Sequence, residues 1–235
     1  TSTAGTQSLT IDTTLPDAPT VTTALSNSAT PTIAGTAEVG STVTVTVGGA
    51  TYTTTATGGT WSIDLATATP TAGSLSLNAN GANPVSATAT DASGNVSAPG
   101  TQTLTIDTTA PNAPSVTSAA LTNSTTPTLT GTAETGSTVT VTVGGATYTT
   151  TATNGAWSLD LATATPVSGS LSLDTNVANP VSATATDAAG NVSTPATQSL
   201  TVDTTAPNAP AVTSAALTNS ATPTLAGTAE AGSTV

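Results

Sequence analysis

The chain has 235 residues, and only 5% of them are charged, against about a quarter in an average soluble protein. All twelve charges are carboxylates; with no Lys, Arg, His or Cys the formal net charge is -12. The missing cations exclude nucleic acid as a partner, since phosphate recognition rests largely on Lys and Arg. The missing imidazole, thiolate and amine close the common routes to general-base and nucleophilic catalysis, so no enzymatic activity is expected. Only oxygen ligands remain for metal chemistry, a set suited to hard cations such as calcium (Ca2+) and magnesium.

Thr and Val crowd the sequence, a composition that favours folded β structure over disorder. A basic leader and any apolar run near 18 residues are missing, so this segment is expected to make no membrane contact. Without Cys, an extracellular setting would demand stabilisation by something other than disulfides.

A long internal repeat organises the rest. Ile11-Asp12-Thr13-Thr14-Leu15-Pro16-Asp17-Ala18-Pro19 returns at Ile106 to Pro114 and again at Val202 to Pro210, placing the Asp at positions 12, 107 and 203. A period of about 96 residues is too long for a solenoid unit and matches a domain that closes its own core. The expected division is the end of a preceding repeat (1–11), two complete repeats (12–106 and 107–202) and the opening part of a third (203–235). The sequence is expected to be an interior slice of a longer array.

Taken in chain order, the first repeat opens with Pro19 to Thr22, a short Pro-flanked edge strand. Pro31 to Thr36 follows, then Thr42 to Val47, whose strict Thr/Val alternation marks a half-buried strand. Gly48-Gly49 turns the chain into Thr51 to Ala56, and Thr60 to Leu65 comes next with Trp61, Ile63 and Leu65 inward and Asp64 on a solvated face. The long stretch from Leu65 to Pro84 has no assigned conformation, although Leu75 and Leu77 could pin it to the core. Val85 to Thr90 and Thr101 to Ile106 complete seven strands. The fold class is therefore all-β: tandem immunoglobulin-like, seven-stranded antiparallel β-sandwiches, with Trp61, Trp157, Tyr52 and Tyr148 as core anchors.

Three acidic positions recur in register: Asp12, Asp107 and Asp203 in the linkers; Glu38, Glu134 and Glu230 in G-T-A-E; Asp91 and Asp187 in D-A-x-G-N. In such a sandwich the linker, the loop between the second and third strands, and the turn between the last two strands share one pole, so these carboxylates are expected to meet. Gathered acids with no cation in the chain repel one another, which points to calcium completed by Asn95 or Asn191 and backbone carbonyls. The other reading makes them ordinary turn residues. The D-T-T triplets share two letters with the aspartic-protease motif, but copies some 95 residues apart in separate linkers cannot share a proton.

D-T-T-A-P-x-A-P, G-T-A-E-x-G-S-T-V-T-V and D-A-x-G-N-V-S together resemble the bacterial immunoglobulin-like repeats of giant biofilm-associated and RTX-type surface adhesins, over the whole chain. The resemblance implies a long array exported by type I secretion to the bacterial cell surface, held extended by calcium at its junctions and supporting adhesion and biofilm formation. It assigns the metal to Asp12, Glu38 and Asp91, then Asp107, Glu134 and Asp187, then Asp203 and Glu230. The expected partners are neighbouring repeats of the same chain and, in a second reading, other copies of it or a glycan.

Overall fold

The strict alternation in T-V-T-V-T-V builds the centre of each domain. Val43, Val45 and Val47 are at most 1% exposed, while the intervening threonines point away from the core. The computed structural model describes residue 5 and residues 7–235. Its first repeat contains β1 (Leu25–Ser26), β2 (Thr32–Thr36), β3 (Thr42–Val47), β4 (Ala50–Thr55), β5 (Thr60–Asp64), β6 (Ala72–Gly73), β7 (Asn80–Thr90) and β8 (Gly100–Asp107). One layer is β2 paired with β5; the other runs in the order β1-β8-β7-β3-β4-β6. Side chains from both layers form the core: Ile33, Trp61 and Ile63 from the smaller sheet, and the β3 valines, Tyr52, Val85, Leu104 and Ile106 from the larger.

The second repeat reproduces this with β9 (Leu121–Thr122), β10 (Thr128–Thr132), β11 (Thr138–Val143), β12 (Ala146–Thr151), β13 (Ala156–Asp160), β14 (Ala178–Thr186) and β15 (Ala196–Val202). Its layers are β10 with β13, and β12-β11-β14-β15-β9. In the third, β16 (Ala211–Val212) pairs with β17 (Gly227–Thr228). No helix occurs among the described residues.

The tandem sandwich read from the sequence is the observed fold, with three refinements. Pro19–Thr22 does lie along β2, where Thr20 N and Thr22 N donate to Thr36 O (2.9 Å) and Ala34 O (2.8 Å). The chain then crosses to the other layer, where β1 runs parallel to β8 and, in the second repeat, β9 to β15, so one two-residue pairing in each complete repeat departs from the antiparallel pattern. The strand expected at Val85 starts at Asn80, because the ladder to β8 continues through Asn80↔Asp107. Leu75 and Leu77 pack against the core from the segment before it, as expected.

That segment is tied down by a residue with no acidic or aromatic signal. Asn83, 4% exposed, accepts a bond from Asn78 N at 2.7 Å and donates Nδ2 to Asn78 O and Gly81 O, both at 3.0 Å. Asn179 does the same in the second repeat, toward Asp174 and Val177. A buried amide that forms its bonds with loop backbone replaces a sheet ladder where the chain is irregular.

Of the expected preceding repeat (1–11), residues 1–4 and 6 lie outside the described residues. Leu9 and Ile11 are 83% and 80% exposed, whereas Leu104 and Ile106, at the same repeat positions, are fully buried.

Candidate metal centre at the domain junctions

The D-A-x-G-N turn joins the last two strands of each domain and builds its own anion cradle. Gly94, at φ +91°, supplies a backbone conformation that side-chain-bearing residues rarely adopt. The chain thereby folds back so that Ser93 N and Asn95 N both donate to Asp91 Oδ1 at 2.8 Å. Asn95 Nδ2 donates to the other oxygen, Oδ2, also at 2.8 Å. This side-chain bond, helped by the backbone donors of Asn95, Ser93 and Gly94, holds the Asp91 carboxyl below its ordinary value against the opposing effect of burial. At Asp187 partial burial is the largest single influence and raises the value. The bonds from Asn191, Gly190 and Ala189 together outweigh it, so the net shift is again downward.

The same amide reaches the linker. Asn95 Nδ2 donates to Asp12 O at 3.1 Å, and Ser93 Oγ lies 3.5 Å from Asp12 Oδ2. In the second repeat Asn191 Nδ2 bridges Asp187 Oδ2 and Asp107 O, both at 2.8 Å. Linker and turn oxygens thus converge on one amide nitrogen at the head of each complete domain.

The linker aspartates also shape their own segment: Asp12, Asp107 and Asp203 each accept, through Oδ1, from the N–H two residues on, in Thr14, Thr109 and Thr205. The glutamates behave differently. The backbone carbonyls of Glu38 and Glu134 receive both N–H and Oγ of Ser41 and Ser137, which closes the loop tightly and leaves the exposed carboxylates outside. Glu230 Oε2 accepts from Asn208 N in its own linker at 3.1 Å. Among the described residues no three acidic side chains gather into one group. The expected meeting of three carboxylates is therefore corrected: what the Asn95 or Asn191 amide joins to the turn carboxylate is the backbone carbonyl of the linker Asp.

The donors that do meet are carboxylate and carbonyl oxygens from two chain segments, which fit a hard cation in kind. Asn95 and Asn191 join them through the amide nitrogen, a donor occupying the position a cation would take.

Sequence reasoning missed the other end of the linker. Asn80 Oδ1 accepts from Thr108 N (2.9 Å), Thr108 Oγ1 (3.0 Å) and Thr109 Oγ1 (3.2 Å). Asn176 accepts from Thr204 N and Thr205 Oγ1, both at 3.3 Å. The signal was available, since Asn80 and Asn176 hold the same repeat position.

Asp64 and Asp160, expected on a solvated face, cap the turns that follow β5 and β13 by accepting from Ala66 N and Ala162 N. Open threonine-lined grooves lie beside Trp61 and Trp157. Both indoles are 3% exposed, leaving no ring face for a sugar to stack on.

No curated protein matches this sequence. Among solved structures, the chain is similar to the fibronectin(III)-like modules of Clostridium thermocellum CbhA, at 17% identity and TM-score 0.47, over 79% of this chain and 95% of that one. It is also similar to the FN1-FN3 domains of chicken CNTN1, at 12% identity and TM-score 0.41, over 80% of this chain and 68% of that one. The description of the bacterial Ig-like domain matches residues 6–108 and 115–204. By that match, over most of its length and in two tandem copies, the chain belongs to the bacterial Ig-like domain family.

Proposed function

We propose that this chain is a structural extender section of a large bacterial surface adhesin, stiffened by calcium at its junctions and supporting adhesion and biofilm formation. Domains of this family are in general non-catalytic modules, typically extracellular or at the cell surface. The observation that carries the reading is the amide bridge: Asn95 and Asn191 each join the turn carboxylate to the carbonyl of the linker Asp. A module with an elaborated polar site that grips the chain between domains is built to control how domains follow one another.

Asp12, Asp91 and Asn95 would hold the cation in the first repeat and Asp107, Asp187 and Asn191 in the second. In the opening part of the third, Asp203 would contribute, and Glu230 already touches the linker. Bound calcium supplies positive charge that a chain of twelve carboxylates and no Lys, Arg or His otherwise lacks. Lateral association between copies is the second reading; uncharged Thr and Ser rows on the larger sheet, such as Thr55-Thr42-Thr90 and Thr53-Thr44-Thr88, favour it as the least repulsive face.

Small-angle scattering in excess EDTA and then in millimolar calcium tests the proposal. The expected result is a longer, more uniform particle at constant mass. A maximum dimension indifferent to calcium refutes the calcium reading, and a rise in mass transfers the function to association between copies.

A further inference from the structure

Two observations concern the downstream end of the first repeat. Asn80 Oδ1 receives three hydrogen bonds from the Thr108-Thr109 segment, and Thr108 Oγ1 also donates to Ala79 O at 3.3 Å. Asn80 is brought there by the ladder that continues through Asn80↔Asp107 and Gly81↔Ile106. A Cβ at Gly81 would run into the Asn78 side chain, which would have to swing away from its bond with Asn80 N. The second repeat has Val177 at the corresponding position. There β14 starts only at Ala178, Asn176 adopts φ +61°, and its bonds to the linker are longer, at 3.3 Å.

On the far side of the same linker Asn191 holds Asp107 O, and the Asn27 amide lies against Gly190, 3.4 Å from where a Cβ would stand. The three residues Asp107 to Thr109 are therefore gripped from the domain before and the domain after.

We propose that the start of β7 is a metal-independent latch: Asn80 is the positioning residue that fixes the direction in which the linker leaves the first domain, and Gly81 is what allows it to act. The latch rests on the extender reading and adds that part of the junction's stiffness is present before any cation binds. Its chemistry is neutral amide to hydroxyl and backbone N–H, so neither chelation nor the protonation of a carboxylate removes it directly.

The absence of Cys makes the test clean. Ser62 and Ser158, exposed on β5 and β13 at equivalent repeat positions, are replaced by Cys in the full chain and spin-labelled, and the distribution of distances between them is measured in EDTA. The parent chain is expected to give a narrow distribution, and Asn80→Ala one roughly twice as wide. Gly81→Val is expected to widen it similarly. Emission from the buried Trp61 and Trp157 confirms that each variant is folded. A parent distribution already broad in EDTA, or one that neither variant widens, overturns the latch. Calcium is then added to the parent: a distribution still broad removes the extender reading itself, whereas narrowing by calcium alone leaves that reading standing without the latch.

Discussion

Replacing Gly131 by Ala tests how the second domain holds the segment that enters it from the linker. Gly131 sits on β10 at a non-positive φ, so the backbone suits Ala, and the usual gain from a less flexible unfolded chain would be about 0.5 kcal/mol of stability. The packing predicts the opposite. A Cβ here would overlap Ser115 O and stand 2.6 Å from Trp157 Cε2. The indole cannot withdraw, because its Nε1 donates to Ser115 O at 3.0 Å from within the core.

The strand-entry segment must therefore lift away from β10. It would lose Ser115 N→Thr132 O (2.8 Å), Thr117 N→Thr130 O (2.7 Å) and the indole bond, together with the packing of Val116 on the core. Three bonds at about 1 kcal/mol each and about 1 kcal/mol of apolar burial give a loss of about 4 kcal/mol. For a domain of this size that lowers the midpoint of thermal unfolding by about 20 °C. Each repeat carries one buried Trp, so fluorescence-detected melting should show the Trp157 transition move and the Trp61 transition stay. An unchanged or raised midpoint would falsify the steric argument.

The remaining predictions concern single polar groups. Ser97 Oγ accepts from the buried Ala89 N at 2.9 Å, so Ser97→Ala strands that donor and should cost about 2 kcal/mol in urea unfolding of the first repeat. Asn83→Ala removes three bonds that tie the Asn78 to Gly81 loop and a fourth to Leu104 O on β8; it should cost about 3 kcal/mol and expose the amide protons of that loop to rapid hydrogen exchange. The Asp91 carboxyl is held below its ordinary value of 3.8, so the unfolded chain binds that proton more tightly. Its contribution to stability is complete above 3.8 and disappears as the pH falls through the lowered folded value; Asn95→Ala should move its NMR titration up toward 3.8.

Periodicity exposed what repeats along a strand and hid what depends on irregular backbone. The alternation of Thr42 to Val47 and the inward set Trp61, Ile63 and Leu65 follow from a period of two, and all three of those side chains are buried. The start of β7 was misplaced by five residues because Asn80 to Pro84 carries no such alternation; its order comes from the Asn83 amide folding back on the loop. The junction was half legible. Charge drew attention to Asp12 and Asp91, but the residues that connect them are neutral amides, and Asn80, Asn95 and their counterparts recur in register just as the acids do. Glu38 recurs too, yet the loop that its carbonyl closes with Ser41 turns the carboxylate outward.

A chain with twelve carboxylates and no cationic side chain must still stabilise them, and the backbone supplies the donors. Asp12, Asp64, Asp107, Asp160 and Asp203 each commit Oδ1 to the N–H two residues on, and Asp91 and Asp187 commit Oδ1 to two N–H groups apiece. Such turns fix the carboxylate through one oxygen; the other takes a side-chain donor at Asp64, Asp91, Asp160 and Asp187, and at Asp12 it lies 3.5 Å from Ser93 Oγ. The turn role and the ligand role are consequently not rivals. The turn lowers the entropy that a bound cation would have to offset, and at Asp91 and Asp187 its hydrogen bonds also hold the carboxyl below its ordinary value, so a residue placed to cap a turn is also prepared to bind. If the two roles are coupled in this way, Asn95→Ala should weaken calcium binding in isothermal titration calorimetry even where its own oxygen is replaced by water. An unchanged affinity would separate the turn from the metal.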